Sequence, residues 1–334
     1  MPNITDVAKR AGVAPITVSR VINNSGYASE ATRKRVEEAV AELGYVPNTL
    51  ARGLRSKRTN TLALVMTDIT NPFFTLIARG VEDAACAAGF TVIFCNTDES
   101  ESEEAKYIKI LAQKQVDGVL LVPASRDPKS IEFLQSKKIA VVLLDRSVPD
   151  SLIDVVRCDS CNGAFKLIRY LIALGHTQII MITGPQGVST SEDRVKGYRQ
   201  ALFEAGLSDH ERIYYGAFTQ ASGYKMTIQV MTASQRPTAI FGANNFISIG
   251  ILKALRDFGI QVPEEIAVVG FDDLPTALMV DPFLTVAAQP AYEMGHKAAE
   301  LLIARLTDDA PDAAQEIILP TEIIERRSSG PPMA

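Results

Sequence analysis

The stretch "APITVSRVIN", Ala14 to Asn23, decides how the N-terminal part of the chain is read. At about 100° per residue, Val18, Val21 and Ile22 fall on one face of a helix, while Ile16, Arg20 and Asn23 fall on the other. The outward face therefore carries an apolar side chain beside a guanidinium. Upstream, Thr5 is expected to cap a helix through Val7, Ala8 and Ala11 that stops at Gly12, a residue suited to the left-handed position after a helix end. Pro15 sits in the first turn of the second helix, where a missing N–H is harmless. A third helix begins at Ser29, buries Val36, Ala39, Val40 and Leu43 at helical spacing, and ends at Gly44. Three short helices, the first two joined by a tight glycine turn, predict a helix-turn-helix.

The chain has 334 residues, enough for two or three folding units. Its 47% hydrophobic and 22% charged content is that of an ordinary globular protein, and no run approaches the roughly 18 apolar residues of a membrane helix. Asp6, Lys9 and Arg10 fall where a signal peptide needs its apolar core, so a cytoplasmic setting is expected. Four cysteines suit that reducing compartment. The net charge of -5 conceals an asymmetry: residues 1–60 hold ten Lys or Arg against five acids, leaving the other 24 bases and 34 acids to the rest. A basic head on a larger acidic body suits a polyanion-binding module joined to a separate domain.

A helix presented to a DNA major groove needs donors for guanine and apolar groups for the thymine methyl. Arg20 and Ile16 supply one of each, while Thr17, Ser19, Asn23 and Asn48 are candidates for phosphate contacts, which position a helix without reading sequence. The segments "ITDVAKRAGVAPITVSRVINN" and "ATRKRVEEAVAELGYVPNTLARGLRS" resemble the headpiece of the LacI/GalR family of bacterial transcription regulators over essentially its full length. The resemblance implies operator contacts from Thr5, Pro15, Ile16, Thr17, Ser19, Arg20, Asn23, Asn48, Ala51, Arg52, Leu54 and Arg55. It also implies that "NTLARGLRS" forms a hinge helix when a dimer binds DNA, with Leu54 wedged into the minor groove. An apolar wedge between Arg52 and Arg55 fits minor-groove kinking, and Gly53 weakens a helix too short to be stable alone. Ala14 departs from the family's usual serine or threonine cap.

From Thr61 the chain alternates apolar strands with amphipathic helices: "TLALVMT", "TVIFC", "GVLLV" and "AVVLLD", then "QIIMIT", "IYYG", "TAIFGAN" and "IAVVGFDD". Helices are predicted near 102–114, 128–137, 160–174, 192–205, 220–233, 246–258 and 290–306. Two successive β-α series predict an α/β class with two doubly wound parallel-sheet subdomains. In such sheets ligands bind beyond the carboxyl ends of the strands. The residues there include Asn71, Asp145, Arg146, Asn244, Asp272 and Gln289, with Arg194 opening a helix and Phe73, Phe74 and Phe218 at or near the same rim. Carboxylates, guanidinium groups and amides hold vicinal hydroxyls, and aromatic faces pack on the C–H faces of a sugar ring. These ten residues resemble the pattern of ribose-binding proteins and ribose-responsive regulators, although Asn245 stands where those proteins carry an aspartate.

Cys158 and Cys161 form a C-x-x-C at a strand-to-helix junction, which could lower a thiol pKa, but no second pair completes a zinc site, and the spacing alone favours structural or incidental thiols. His176, His210 and His296 are too scattered for a metal site, and no cofactor is implied. A glycoside-cleaving enzyme using Asp145 and Asp272 leaves the basic head unexplained. A transport binding protein needs export. Another sugar, a sugar phosphate, a purine or a phosphoprotein as the effector of the same regulator stays open. The expected organisation is a headpiece at 1–47, a hinge helix and linker at 48–60, one core subdomain at 61–157 and 290–318, and the other at 158–289 and 319–334. The expected partners are double-stranded operator DNA, a sugar effector such as ribose, and a second copy in a homodimer, with no membrane; the tail "RRSSGPPMA" lacks the apolar heptads of a tetramerising helix.

Overall fold

The structure is a computed structural model that describes residues 2–22, 25–46, 58–274, 281–307 and 309–333. The expectations for Asn23, Asn48, Ala51, Arg52, Leu54 and Arg55, and with them the hinge helix, lie outside the described residues. The chain divides into two compact units, Met1–Thr59 and Asn60–Ala334.

The first unit is built from α1 (Ile4–Ala11), α2 (Pro15–Ile22) and α3 (Glu30–Leu43). Its core is Val7, Ala8, Ala11, Val18, Val21, Val36 and Ala39, with Ile22, Val40 and Leu43 half-buried at its edge. The cap of α1 differs from expectation. Asn3, not Thr5, occupies the N-cap: its Oδ1 accepts from the N–H groups of Thr5 (2.8 Å) and Asp6 (3.2 Å), and Asp6 returns a bond to the Asn3 N–H. This is a capping box built from two short polar side chains, and it leaves Thr5 exposed in the first turn. Gly12 ends α1 in the left-handed region (φ 64°), and Ser29 caps α3.

The second unit holds two six-stranded sheets. The strands are β1 (Thr61–Met66), β2 (Thr91–Asn96), β3 (Gly118–Leu121), β4 (Ala140–Leu144), β5 (Asp154–Cys158), β6 (Ile179–Thr183), β7 (Ile213–Tyr215), β8 (Ala239–Gly242), β9 (Ala267–Phe271), β10 (Thr285–Ala288), β11 (Glu316–Leu319) and β12 (Glu322–Ile324). The first sheet runs β11-β5-β4-β3-β1-β2 and the second β12-β10-β9-β8-β6-β7. All pairings are parallel except the closing β12 on β10. The two parallel sheets expected from the sequence are therefore present. Their strands read as continuous apolar runs because helices cover both faces, giving two apolar cores per sheet.

The helices are α4 (Pro72–Ala87), α5 (Glu101–Gln113), α6 (Lys129–Ser136), α7 (Ser160–Ala173), α8 (Ser189–Glu204), α9 (Gln220–Met231), α10 (Asn245–Asp257) and α11 (Ala291–Leu306). Helix α8 starts earlier than its apolar spacing predicted, directly after the Gly184–Gly187 turn. The chain passes between lobes after β5, before α11, and between β11 and β12. Among the described residues no helix is long and apolar enough to cross a membrane.

Helix α11 returns to the first lobe by nesting against α4 through two glycines. A Cβ on Gly80 would stand 2.1 Å from the Tyr292 carbonyl oxygen, and one on Gly295 would stand 2.1 Å from that of Ile77. The two backbones touch where side chains would otherwise hold them apart. Gly80→Ala is therefore expected to lower unfolding free energy by about 1–3 kcal/mol through overpacking. Thermal unfolding checks this, and an unchanged melting temperature would contradict the nested packing.

Candidate functional site

The three-helix unit presents the surface that its sequence pattern predicted. Pro15, Ile16 and Arg20 are exposed on α2, with Ile16 53% accessible, while Val18 and Val21 are inside. Thr17 and Ser19 are half-buried beside them. A helix this short holds its outward face only because its inward face is packed. The exposed isoleucine beside an arginine is thus a fixed surface rather than a frayed end.

In the second unit the carboxyl ends of both sheets open on one cleft. Nine of the ten residues selected from the sequence line it: Asn71, Phe73, Phe74, Asp145, Arg146, Arg194, Phe218, Asn244 and Asp272. The tenth, Gln289, stands behind Asp272, its Nε2 donating to Asp272 Oδ1 at 2.5 Å. The lobes contribute matching parts. Asp145 follows β4 and Asp272 follows β9, both with left-handed backbones (φ 65° and 68°), a conformation that Asp tolerates better than most residues. Each N–H donates to the neighbouring strand, to Val156 O and to Ala287 O. Both carboxylates are consequently aimed out of the strand end and into the cleft.

The other polar groups are held as firmly. Asn71 caps α4, its Oδ1 accepting from Phe73 N at 3.0 Å, and Asn244 caps α10 by accepting from Ile247 N at 2.7 Å. These oxygens are committed to backbone, which leaves each amide nitrogen as the group a ligand can use. Asn71 Oδ1 also accepts from Asn245 Nδ2 at 2.8 Å across the two lobes. Arg194 on α8 donates to Ala243 O at 2.6 Å, lies over the Phe271 ring, and approaches Asp272 to 4.0 Å. The Nε atoms of Arg146 and Arg194 are buried without a hydrogen-bond partner. Such orphan donors are rare in folded proteins and call for a ligand or water.

Aromatic walls complete the cleft. Phe73 and Phe74 meet edge to face with centroids 5.1 Å apart. Phe218 lies 5.4 Å from the Arg146 guanidinium, and it fits there because residue 184 is glycine, where a Cβ would be 2.2 Å from the ring.

The sequence reading missed Thr67, Asp68, Asp98, Glu99, Thr190 and Thr219, which also line the cleft. Asp98 and Glu99 follow β2 after Thr97, so the strand-end rule that selected Asp145 extends to them. The C-x-x-C holds structural thiols, the plainer of its two readings. Burial pushes the Cys158 thiol up to about 12 and also raises Cys161, so neither is an activated thiolate. Cys158 donates instead to Leu319 O, tying β5 to β11. His176 is likewise structural, bonded to Thr238 and to Gly330 O.

The pattern of bacterial regulatory proteins of the lacI family matches residues 3–48, and that of the periplasmic binding protein-like domain matches residues 168–329. The chain is 38% identical to the HTH-type transcriptional regulator DegA of Bacillus subtilis, over 98% of each protein. The chain belongs to the LacI family. It is 36% identical to the ribose operon repressor of Escherichia coli, over 98% of this chain and 100% of that one, and 35% identical to the repressor PurR of Pectobacterium atrosepticum, over 98% and 97%. Among solved structures it is similar to a complex of the regulator CelR with cellobiose (TM-score 0.75, 35% identity, 98% and 100% covered). It is also similar to the lac repressor dimer bound to operator and an anti-inducer (TM-score 0.86, 25% identity, 98% of each chain). As a LacI-family member the chain is a DNA-binding transcription regulator with an effector-binding core, not an enzyme.

Burial governs the charge state of the cleft. It raises the Asp145 carboxyl from 3.8 to about 6, against the pull of Arg146 and Arg194, and it also raises Asp272 against Arg194 and the Gln289 bond. Between pH 4 and 6 the folded chain then binds more protons at Asp145 than the unfolded chain does. Ionising this group therefore subtracts stability as pH rises through that window. Asp145→Asn should be more stable than the parent near neutral pH, by roughly 1–3 kcal/mol, with the gap closing as pH falls to about 4. Chemical denaturation across this range checks the sign, and a variant less stable near neutral pH would mean that the two guanidinium pairs outweigh desolvation.

Proposed function

We propose that the chain is a ribose-responsive repressor that binds a near-palindromic operator as a homodimer and releases it when sugar enters the cleft. The observation that carries the effector half is the convergence of nine residues, chosen by their strand-end positions and matching a ribose-binder pattern, on one cleft, with the tenth orienting Asp272. Their chemistry suits a polyol. Asp145 and Asp272 accept from hydroxyls, the Asn71 and Asn244 amides and the Arg146 and Arg194 Nε groups donate, and Phe73, Phe74 and Phe218 cover the apolar faces of a ring. Similarity to the ribose operon repressor of Escherichia coli supports the same reading.

On the DNA side, Arg20 and Ile16 read base edges, Thr17 and Ser19 hold the helix against the phosphates, and Thr5 and Pro15 are further operator contacts. Two-fold symmetry of the dimer matches two half-sites. The lac repressor structure holds a dimer on operator, and the present chain shares its fold along nearly its whole length. Asn23, Asn48, Ala51, Arg52, Leu54 and Arg55 keep the roles that the family resemblance implies for them.

Two experiments test the halves separately. A ligand that binds only the folded chain raises its melting temperature, so a panel of pentoses, hexoses, cellobiose and purines should give a shift with ribose and none in Arg194→Ala. A shift with a purine or cellobiose alone would replace the effector. For the operator, Arg20→Ala should relax preference at one base position by about 1–3 kcal/mol, read by binding to a set of single-base variants. A uniform loss across all sequences would make Arg20 a phosphate contact.

A further inference from the structure

Arg146 is the buried cation of the first lobe, yet its guanidinium is already occupied. Glu99 accepts from Nη1 and Nη2 with its two carboxylate oxygens, each at 2.6 Å, and Nη1 also donates to Pro123 O at 3.0 Å. Nε is buried without a hydrogen-bond partner, 3.9 Å from Asp145, and Nη2 bonds to Glu99 alone. Glu99 is not a buried structural partner: its side chain is 35% exposed and lines the cleft. The backbone delivers it there through two successive left-handed residues, Asp98 (φ 51°) and Glu99 (φ 59°). Neither is glycine, and such conformations persist where surrounding structure enforces them, often at ligand sites.

The charge around the cleft gives this arrangement a consequence. Among the described lining residues, Asp68, Asp98, Glu99, Asp145 and Asp272 face only two cations, Arg146 and Arg194. We propose that Glu99 is a specificity-determining residue: by neutralising Arg146 bidentately at the cleft wall, it admits an uncharged sugar and rejects its phosphorylated form. This rests on the sugar-site reading of the cleft. A hydroxyl needs only one of the N–H donors that Glu99 leaves available. A phosphate fits the planar fork of a guanidinium, but here a carboxylate already fills the Nη1 and Nη2 edge and cancels the charge, and the anion would enter a field of its own sign.

The test compares the full-length parent with Glu99→Gln, Glu99→Ala and Glu99→Asp at constant ionic strength, following melting temperature with ribose, ribose 5-phosphate and inorganic phosphate. The parent should respond to ribose and to neither anion. Glu99→Gln should gain affinity for both anions by at least about 10-fold, the scale expected when one charge a few ångströms away is removed. Glu99→Ala repeats the loss of charge in case the glutamine does not fold, and Glu99→Asp should keep rejecting anions because the charge survives. Neutral variants that exclude both anions as fully as the parent, or a parent that binds ribose 5-phosphate as well as ribose, would overturn the filter. A parent silent to ribose whose neutral variants nonetheless gain phosphate binding would discard the sugar reading and leave the filter standing.

Discussion

Ionised groups removed from water must be paired and hydrogen-bonded, and that constraint organises this molecule. Asp145 and Arg146 end β4 in one lobe, while Asp272 and Arg194 face them from the other, all at most 7% exposed. The fold satisfies most of their demands. Glu99 and Pro123 O take Arg146, Ala243 O and the Phe271 face take Arg194, and Gln289 takes Asp272. What it leaves unmet is the two guanidinium Nε donors and the raised carboxyl of Asp145. A polyol supplies both kinds of missing partner at once, which makes these unmet groups a source of its affinity.

The same geometry makes the cleft a joint. Its walls belong to different sheets, and bonds cross directly between them: Asn245 Nδ2 to Asn71 Oδ1, Ser147 N to Ser189 Oγ at 3.1 Å, Arg157 to Asp193 at 3.2 Å, and Arg126 to Glu192. A ligand touching Asp145 and Asp272 together adds to these ties and favours one lobe arrangement over others. Its leverage on the rest of the molecule is limited to its differential affinity for those arrangements. Asn245 adds a neutral amide tie to this set, one whose strength does not depend on its own ionisation.

Much of this was legible in the sequence because it follows from periodicity. Apolar runs between helical repeats gave two parallel sheets, and the rule that ligands lie beyond strand ends picked out Asp145 and Asp272 without coordinates. The capping of α1 was misassigned because Thr5 and Asn3 are both competent caps, and only backbone geometry shows which one precedes the first helical turn. For Cys158 and Cys161 the spacing left two readings open, because a C-x-x-C states proximity, whereas the pKa depends on burial. Glu99 escaped notice because its role lies in a contact with Arg146, 47 residues away. Spacing within one segment carries no trace of that contact.

The central claim is that occupancy of the cleft governs hold on DNA. The direct measurement is the affinity of the full chain for a fluorescent duplex carrying the operator that the chain itself selects from a random library, titrated with and without saturating ribose. The account predicts at least a roughly 10-fold weaker hold with ribose, within the 5–150-fold range typical of coupled sites. An operator affinity unmoved by ribose, in a chain whose melting temperature ribose does raise, would contradict it.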